Sequence, residues 1–252
     1  MTSPSRRRFL RGGLAAAAGL SGLALATRIA GRYGLVPPDA SGLYGPAETL
    51  TYASQRLLLA HQPLAREFSR GEITRTVPVN GEVPFDDTYQ ELLSGGFDAW
   101  RLEVDGLVGR PMSFSMADLR ALPAHSHITM QACEEGWSFI AEWTGVRLSD
   151  LLARVGAAPQ ARYVVFFPFD DIWDSLDMAD ALHPQTLLAY AMNNAPLTPS
   201  HGAPLRLRVT RQLGYKSVKY LSRITVTDSL AGIKDGRGSV SPSLGYSWYA
   251  GI

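Results

Sequence analysis

The 252 residues contain a single cysteine, Cys133, and only three lysines, Lys216, Lys219 and Lys234. One cysteine excludes an intramolecular disulfide, so the fold rests on its apolar core, which a chain of this length can supply. The formal net charge is only +1, which gives no support for a nucleic-acid partner held by bulk charge. Internal repeats, heptads and low-complexity tracts are lacking, so solenoid and coiled-coil architectures are excluded. What remains is an ordinary globular composition, 46% hydrophobic and 19% charged, suited to one large domain or two small ones.

Charge is unevenly placed. Residues 1–26 hold Arg6, Arg7, Arg8 and Arg11 and no acid, so without them the net charge turns negative. Ser5-Arg6-Arg7-Arg8-Phe9-Leu10-Arg11 precedes the apolar run Gly12 to Ala26, about 15 residues long. That is short of the ~20 residues a membrane-crossing helix needs. Paired arginines before a short, Ala- and Gly-rich apolar run form the pattern of a twin-arginine export signal, here residues 1–26. Ala24-Leu25-Ala26 offers a small-residue cleavage site. The expectation is a periplasmic protein, its signal cleaved or kept as a membrane tether. This route carries folded proteins, so a bulky cofactor inserted before export is also expected.

Pro37-Pro38 and scattered glycines mark residues 27–77 as an N-terminal arm. Pro78, Asn80-Gly81 and Pro84 continue it as ordered loop, and Thr88 to Leu93 predicts a short helix before Gly95-Gly96. From Trp100 the pattern tightens. Trp100, Leu102 and Val104 alternate with charged residues, as in a strand. Met116 to Leu122 predicts a helix stopped by Pro123, and Ile128 to Ala132 a buried strand that runs into Cys133. Leu148, Leu151, Leu152 and Val155 fall at helical spacing, with Gly156 as the stop. Tyr163 to Phe167 reads as a strand buried on both faces, and Ala203–Thr210 and Ser222–Thr227 alternate again. Strands and short helices mix without a βαβ rhythm. The predicted class is α+β, one domain over residues 78–252.

Cys133 lies in Gln131-Ala132-Cys133-Glu134-Glu135-Gly136-Trp137, where a buried strand gives way to a polar loop. A lone cysteine there is a small buried hydrophobe, a nucleophile or a metal ligand. Downstream, His201, Arg206 and Lys219 compose a cationic group suited to a phosphate, with Arg as a fork and Lys as a point charge. The competing reading is a solvated basic edge strand. The acidic loop Phe169 to Asp177 supplies Asp170 and Trp173 as pocket candidates. His125 and His127 share a strand face, but no third and fourth zinc ligand stands at a recognisable spacing.

Four ordered blocks make a more specific pattern. They are the cysteine after its strand, Trp143-Thr144-Gly145-Val146-Arg147-Leu148, Leu187 through Leu197, and the pair His201–Arg206 and Lys216–Leu221. Over residues 78–228 this resembles the molybdopterin-binding domain of the sulfite oxidase family. The resemblance implies a mixed β-sheet fold and molybdenum held by molybdopterin, with Cys133 as the protein's thiolate ligand. It also implies that His201, Arg206, Ser217, Val218 and Lys219 hold the pterin and its phosphate. Asn80 corresponds to a cofactor-contacting asparagine, and Asp170 and Trp173 fall on the substrate side. Sulfite oxidases proper place an arginine just before the cysteine. Here Gln131 and Ala132 stand there, and Glu134-Glu135 would repel sulfite. No room is expected for the immunoglobulin-like dimer domain of those enzymes. The layout is similar to the exported methionine sulfoxide reductase branch, which implies a small-molecule substrate and electrons from a membrane haem or quinone-linked subunit. The alternatives are a sulfite dehydrogenase, a cysteine hydrolase using Cys133 with His201 as base, and a non-catalytic cofactor-binding module.

Overall fold

A computed structural model describes residues 34–42, 45–61 and 63–252. The expected export signal, residues 1–26, lies outside the described residues. The chain divides into two compact units, residues 1–60 and 61–252. The expected boundary at 77/78 therefore lies inside the larger unit. Within the expected N-terminal arm, Gly45–Leu58 forms an α-helix that the sequence reading did not place. Pro46 sits in its first turn, where a missing N–H costs nothing, and Glu48 and Arg56 complement its dipole at the two ends. Leu50, Leu57 and Leu58 are exposed, so no clean buried stripe betrays this helix in the sequence.

The larger unit is built on two five-stranded sheets. The first holds β1 (Leu102–Gly106), β2 (Met112–Phe114), β5 (Tyr163–Pro168), β6 (Asp174–Asp177) and β10 (Leu221–Thr227), in the order β2-β1-β10-β5-β6. β1 and β10 run parallel, and the other neighbours are antiparallel. β5 lies between β10 and β6, which is why Val164, Val165 and Phe166 are all buried. The second sheet holds β3 (Ala124–Ala132), β4 (Ser138–Arg147), β7 (Leu187–Met192), β8 (Ala195–Pro196) and β9 (Arg206–Arg208). β7 turns into β8 through Asn193-Asn194, both left-handed at φ 51° and 63°, the turn that matches strand twist.

The main core gathers Leu102, Val104, Val146, Leu188, Leu207 and Ile224. The helix Leu148–Val155 buries Leu148, Leu151, Leu152 and Val155 in it and ends on left-handed Gly156, as its spacing predicted. Burial of each such side chain contributes about 1.5–3 kcal/mol. The α+β class read from the sequence is the observed one. Local bounds differ: of the expected strand 203–210 only Arg206–Arg208 joins a ladder. Pro204, with no N–H to give, stands just before it.

Candidate active site

β3 and β4 pair as a hairpin up to Ala132↔Ser138, and Cys133 opens the loop at its tip. The Cys133 N–H donates to the Trp137 carbonyl at 2.8 Å, and the Gly136 N–H donates back to the Cys133 carbonyl at 3.1 Å. The cysteine is thus held in a tight turn and is only 7% exposed. Its thiol donates to Glu134 Oε2 at 3.3 Å and accepts from Asn80 Nδ2 at 3.6 Å. Burial, with the Glu134 carboxylate adding to it, pushes the thiol above its usual value, against a Glu135 backbone N–H and Asn80 that favour the thiolate. A thiol so placed is the opposite of an activated hydrolase nucleophile. Metal coordination reverses that balance by taking the thiolate directly.

The cations come from β9 and the turns beside it. Arg206 is 4% exposed, so the solvated-edge reading fails for it. Its guanidinium donates to the carbonyls of His201 at 3.0 Å and Ser217 at 2.9 Å, and its Nε has no hydrogen-bond partner among the described residues. Lys219 Nζ donates to the Asn80 carbonyl at 2.6 Å and the Ser200 carbonyl at 3.0 Å. Gly202 permits this approach, since a Cβ there would stand 2.9 Å from the Lys219 stem. Among the described residues, neither cation has a carboxylate at ion-pair distance. Burial lowers Arg206 to about 10. Burial, then Arg206, lowers Lys219 to about 8, while Asp170 opposes. His201 is lowered by burial first and by both cations next, and its Nδ1 lies 2.9 Å from Thr198 Oγ1. Buried positive charge without a counter-ion is costly, and an incoming phosphate relieves it.

One cavity of about 800 Å³ brings these groups together. Asn80, Cys133, His201, Arg206, Ser217, Val218 and Lys219 all line it, and so does Asp170. Trp173 does not. It stacks on Phe167 with ring centroids 6.4 Å apart and packs against Val165 and Leu230. Lys216, three residues before Lys219, is instead buried in an ion pair with Asp174 and does not line the cavity. His125 faces Asp150 and His127 faces Glu67, and no cluster of three or more metal-binding side chains occurs among the described residues. Sequence reasoning passed over Gln131, Glu82 and Tyr220 as lining residues. For Gln131 the signal was available, since residues two apart on a strand share a face. A soft thiol donor beside a buried Arg206 and a half-buried Lys219, neither paired with a carboxylate among the described residues, fits a metal carried by a phosphate-bearing organic ligand.

Residues 89–232 match the family model described as oxidoreductase molybdopterin binding domain. The chain belongs to this family. A protein of Azospira oryzae named "putative protein-methionine-sulfoxide reductase subunit" is 38% identical over 75% of this chain and 68% of its own. An uncharacterized oxidoreductase of Bacillus subtilis is 35% identical over 62% of this chain and 76% of its own. The protein-methionine-sulfoxide reductase catalytic subunit of Campylobacter jejuni is 31% identical over 61% of this chain, which spans 56% of that relative. Among solved structures, the sulfane dehydrogenase SoxCD from Paracoccus pantotrophus aligns with a TM-score of 0.50 and 26% identity, over 52% of this chain and 39% of that one. As a member of the molybdopterin-binding oxidoreductases, the chain is an oxidoreductase whose cofactor is molybdopterin-bound molybdenum. The sulfite oxidase-type fold and the resemblance drawn from the four blocks agree with this membership.

Proposed function

We propose that the chain is an exported reductase that removes oxygen from a small sulfoxide, N-oxide or related substrate. Its cofactor is held between Cys133 and the group His201, Arg206, Ser217, Val218 and Lys219. One observation carries the reading: a buried thiol and uncompensated cations line the same cavity. Sulfoxide reduction takes two electrons and two protons and releases a sulfide and water. When bound, the cofactor supplies the two-electron and oxygen-atom chemistry.

The chain's own groups do the rest. Cys133 gives the thiolate, and the Asn80 amide orients its sulfur. Arg206 and Lys219 neutralise the phosphate. Asp170, its carboxyl pKa raised by burial, stands at the cavity wall. Glu82, Asp86, Glu134 and Asp171 line the cavity too. This acidic wall favours neutral or cationic substrates and opposes sulfite, an anion. Electrons come from a membrane haem or quinone-linked subunit, in keeping with relatives named as subunits. Export rests on Arg6 to Arg8 and the apolar run behind them. Among the described residues, no helix is long and apolar enough to cross a membrane.

The test is metal and pterin analysis of protein from the exported fraction, followed by turnover. A reduced viologen dye is oxidised by methionine sulfoxide, dimethyl sulfoxide and N-oxides, and sulfite is offered with ferricyanide. Stoichiometric molybdenum with sulfoxide-dependent dye oxidation supports the reading. Fast sulfite oxidation with no sulfoxide turnover refutes it.

A further inference from the structure

We propose that the side-chain amide of Gln131 is a further holding point for the pterin, beside Cys133 in the same cavity. Gln131 lies near the end of β3, two residues before Cys133, and both side chains reach the same cavity. It is 93% buried, with 7% of its surface exposed, and it lines the cavity. Its Oε1 is buried and accepts no hydrogen bond among the described residues. Gly214, which opens the turn leading to Ser217 and Lys219, stands against it. A Cβ at 214 would lie 3.3 Å from Gln131 Nε2 and 3.2 Å from the Ala132 carbonyl. Glycine there lets the phosphate-side turn close over the amide.

A buried acceptor left unpaired destabilises the fold unless a ligand answers it. The answering group must be a donor. A phosphate and a bare metal oxyanion present acceptors to a side chain, whereas the edge of a pterin carries N–H groups between its acceptors. An amide, one acceptor beside one donor, matches such an edge. The assignment therefore concerns the organic carrier and not the metal or phosphate, and it rests on the cofactor lying between Cys133 and Arg206.

The experiment uses the full chain, loaded and cofactor-free, with Gln131→Leu and Lys219→Met as variants. Gln131→Leu keeps the volume and removes the unpaired acceptor, so the cofactor-free variant melts no lower than the cofactor-free parent. In the loaded protein the same change weakens retention of pterin about tenfold, the loss of one buried hydrogen bond. Retention is read from the fluorescence of pterin remaining after dialysis against mild denaturant. Equal loss of melting temperature in both forms overturns the proposal, because Gln131 then serves the fold alone. Parental retention in Gln131→Leu with loss in Lys219→Met overturns it while leaving the cofactor placement intact. Parental retention in both variants removes the placement itself.

Discussion

Cys133 presents its sulfur between a carboxylate that favours the thiol, Glu134, and an amide that favours the thiolate, Asn80. The phosphate-side cations are separate residues, Arg206 on β9 and Lys219 after the turn Gly214–Lys216. Metal binding and carrier binding are therefore divided among different side chains. Cys133→Ala is expected to abolish turnover, while pterin content falls no more than a few-fold; activity and pterin analysis of the purified variant check this. Lys219 gives the cofactor-free protein a pH dependence. In the cofactor-free protein its ammonium is lowered from 10.5 to about 8 by burial and by Arg206. The unfolded chain then binds the proton more tightly than the folded one. The cost to folding is full below about pH 8 and gone above 10.5. Stability of the cofactor-free protein should rise through that window, and Lys219→Met should flatten the rise in denaturant titrations. Cys133, His201, Arg206 and Lys219 were singled out in the sequence by their chemistry, their order along the chain narrowed the competing readings, and all four line one cavity. Trp173, also singled out, does not line it: an aromatic in an acidic loop looks the same in sequence whether it faces a pocket or the core.

The segment 238–248 contributes Val240, Ser241, Leu244 and Tyr246 to the cavity wall, and its seat is a buried polar network around β6. Lys216 pairs with Asp174 and donates to the Ser175 carbonyl at 3.0 Å. Ser241 Oγ donates to Asp174 Oδ2 at 3.5 Å, and Trp248 Nε1 donates to Ser175 Oγ at 2.9 Å. Lys216→Met leaves Asp174 buried without its cation and should destabilise the protein by about 3–5 kcal/mol. Adding Asp174→Asn to it should recover most of that loss, because no unpaired charge is then left behind. Chemical denaturation of the two variants decides the point. The helix Leu148–Val155 and the strand Tyr163–Pro168 were legible because their apolar spacing coincides with their burial. The helix Gly45–Leu58 was hidden, since its leucines point to solvent. The short ladder Arg206–Arg208 was also hidden, because its pairing with β7 is set by chain far away in sequence.

At the scale of the whole larger unit, His183 ties the irregular segment after residue 62 to the β-sheet body. Its Nδ1 accepts from the Gln185 N–H at 3.2 Å, and its Nε2 lies 3.3 Å from the Pro63 carbonyl. Both ring nitrogens are therefore used by the neutral imidazole. Burial first, then Arg211, lowers its pKa from 6.5 to about 4. The unfolded chain takes up the proton first on acidification, so stability should fall as pH drops from 6.5 toward 4. Denaturant midpoints across that range measure it, and His183→Gln should remove its share of the slope. The sequence alone determined the fold class, the family and which side chains are candidates to hold a metal and a phosphate. These follow from residue chemistry and its order along the chain. Tertiary structure decided which cation stays uncompensated. Lys216 and Lys219 are three residues apart, yet one finds Asp174 across 42 residues of chain and the other faces the cavity. Burial and charge pairing depend on what folds alongside a residue, and local spacing carries no record of it.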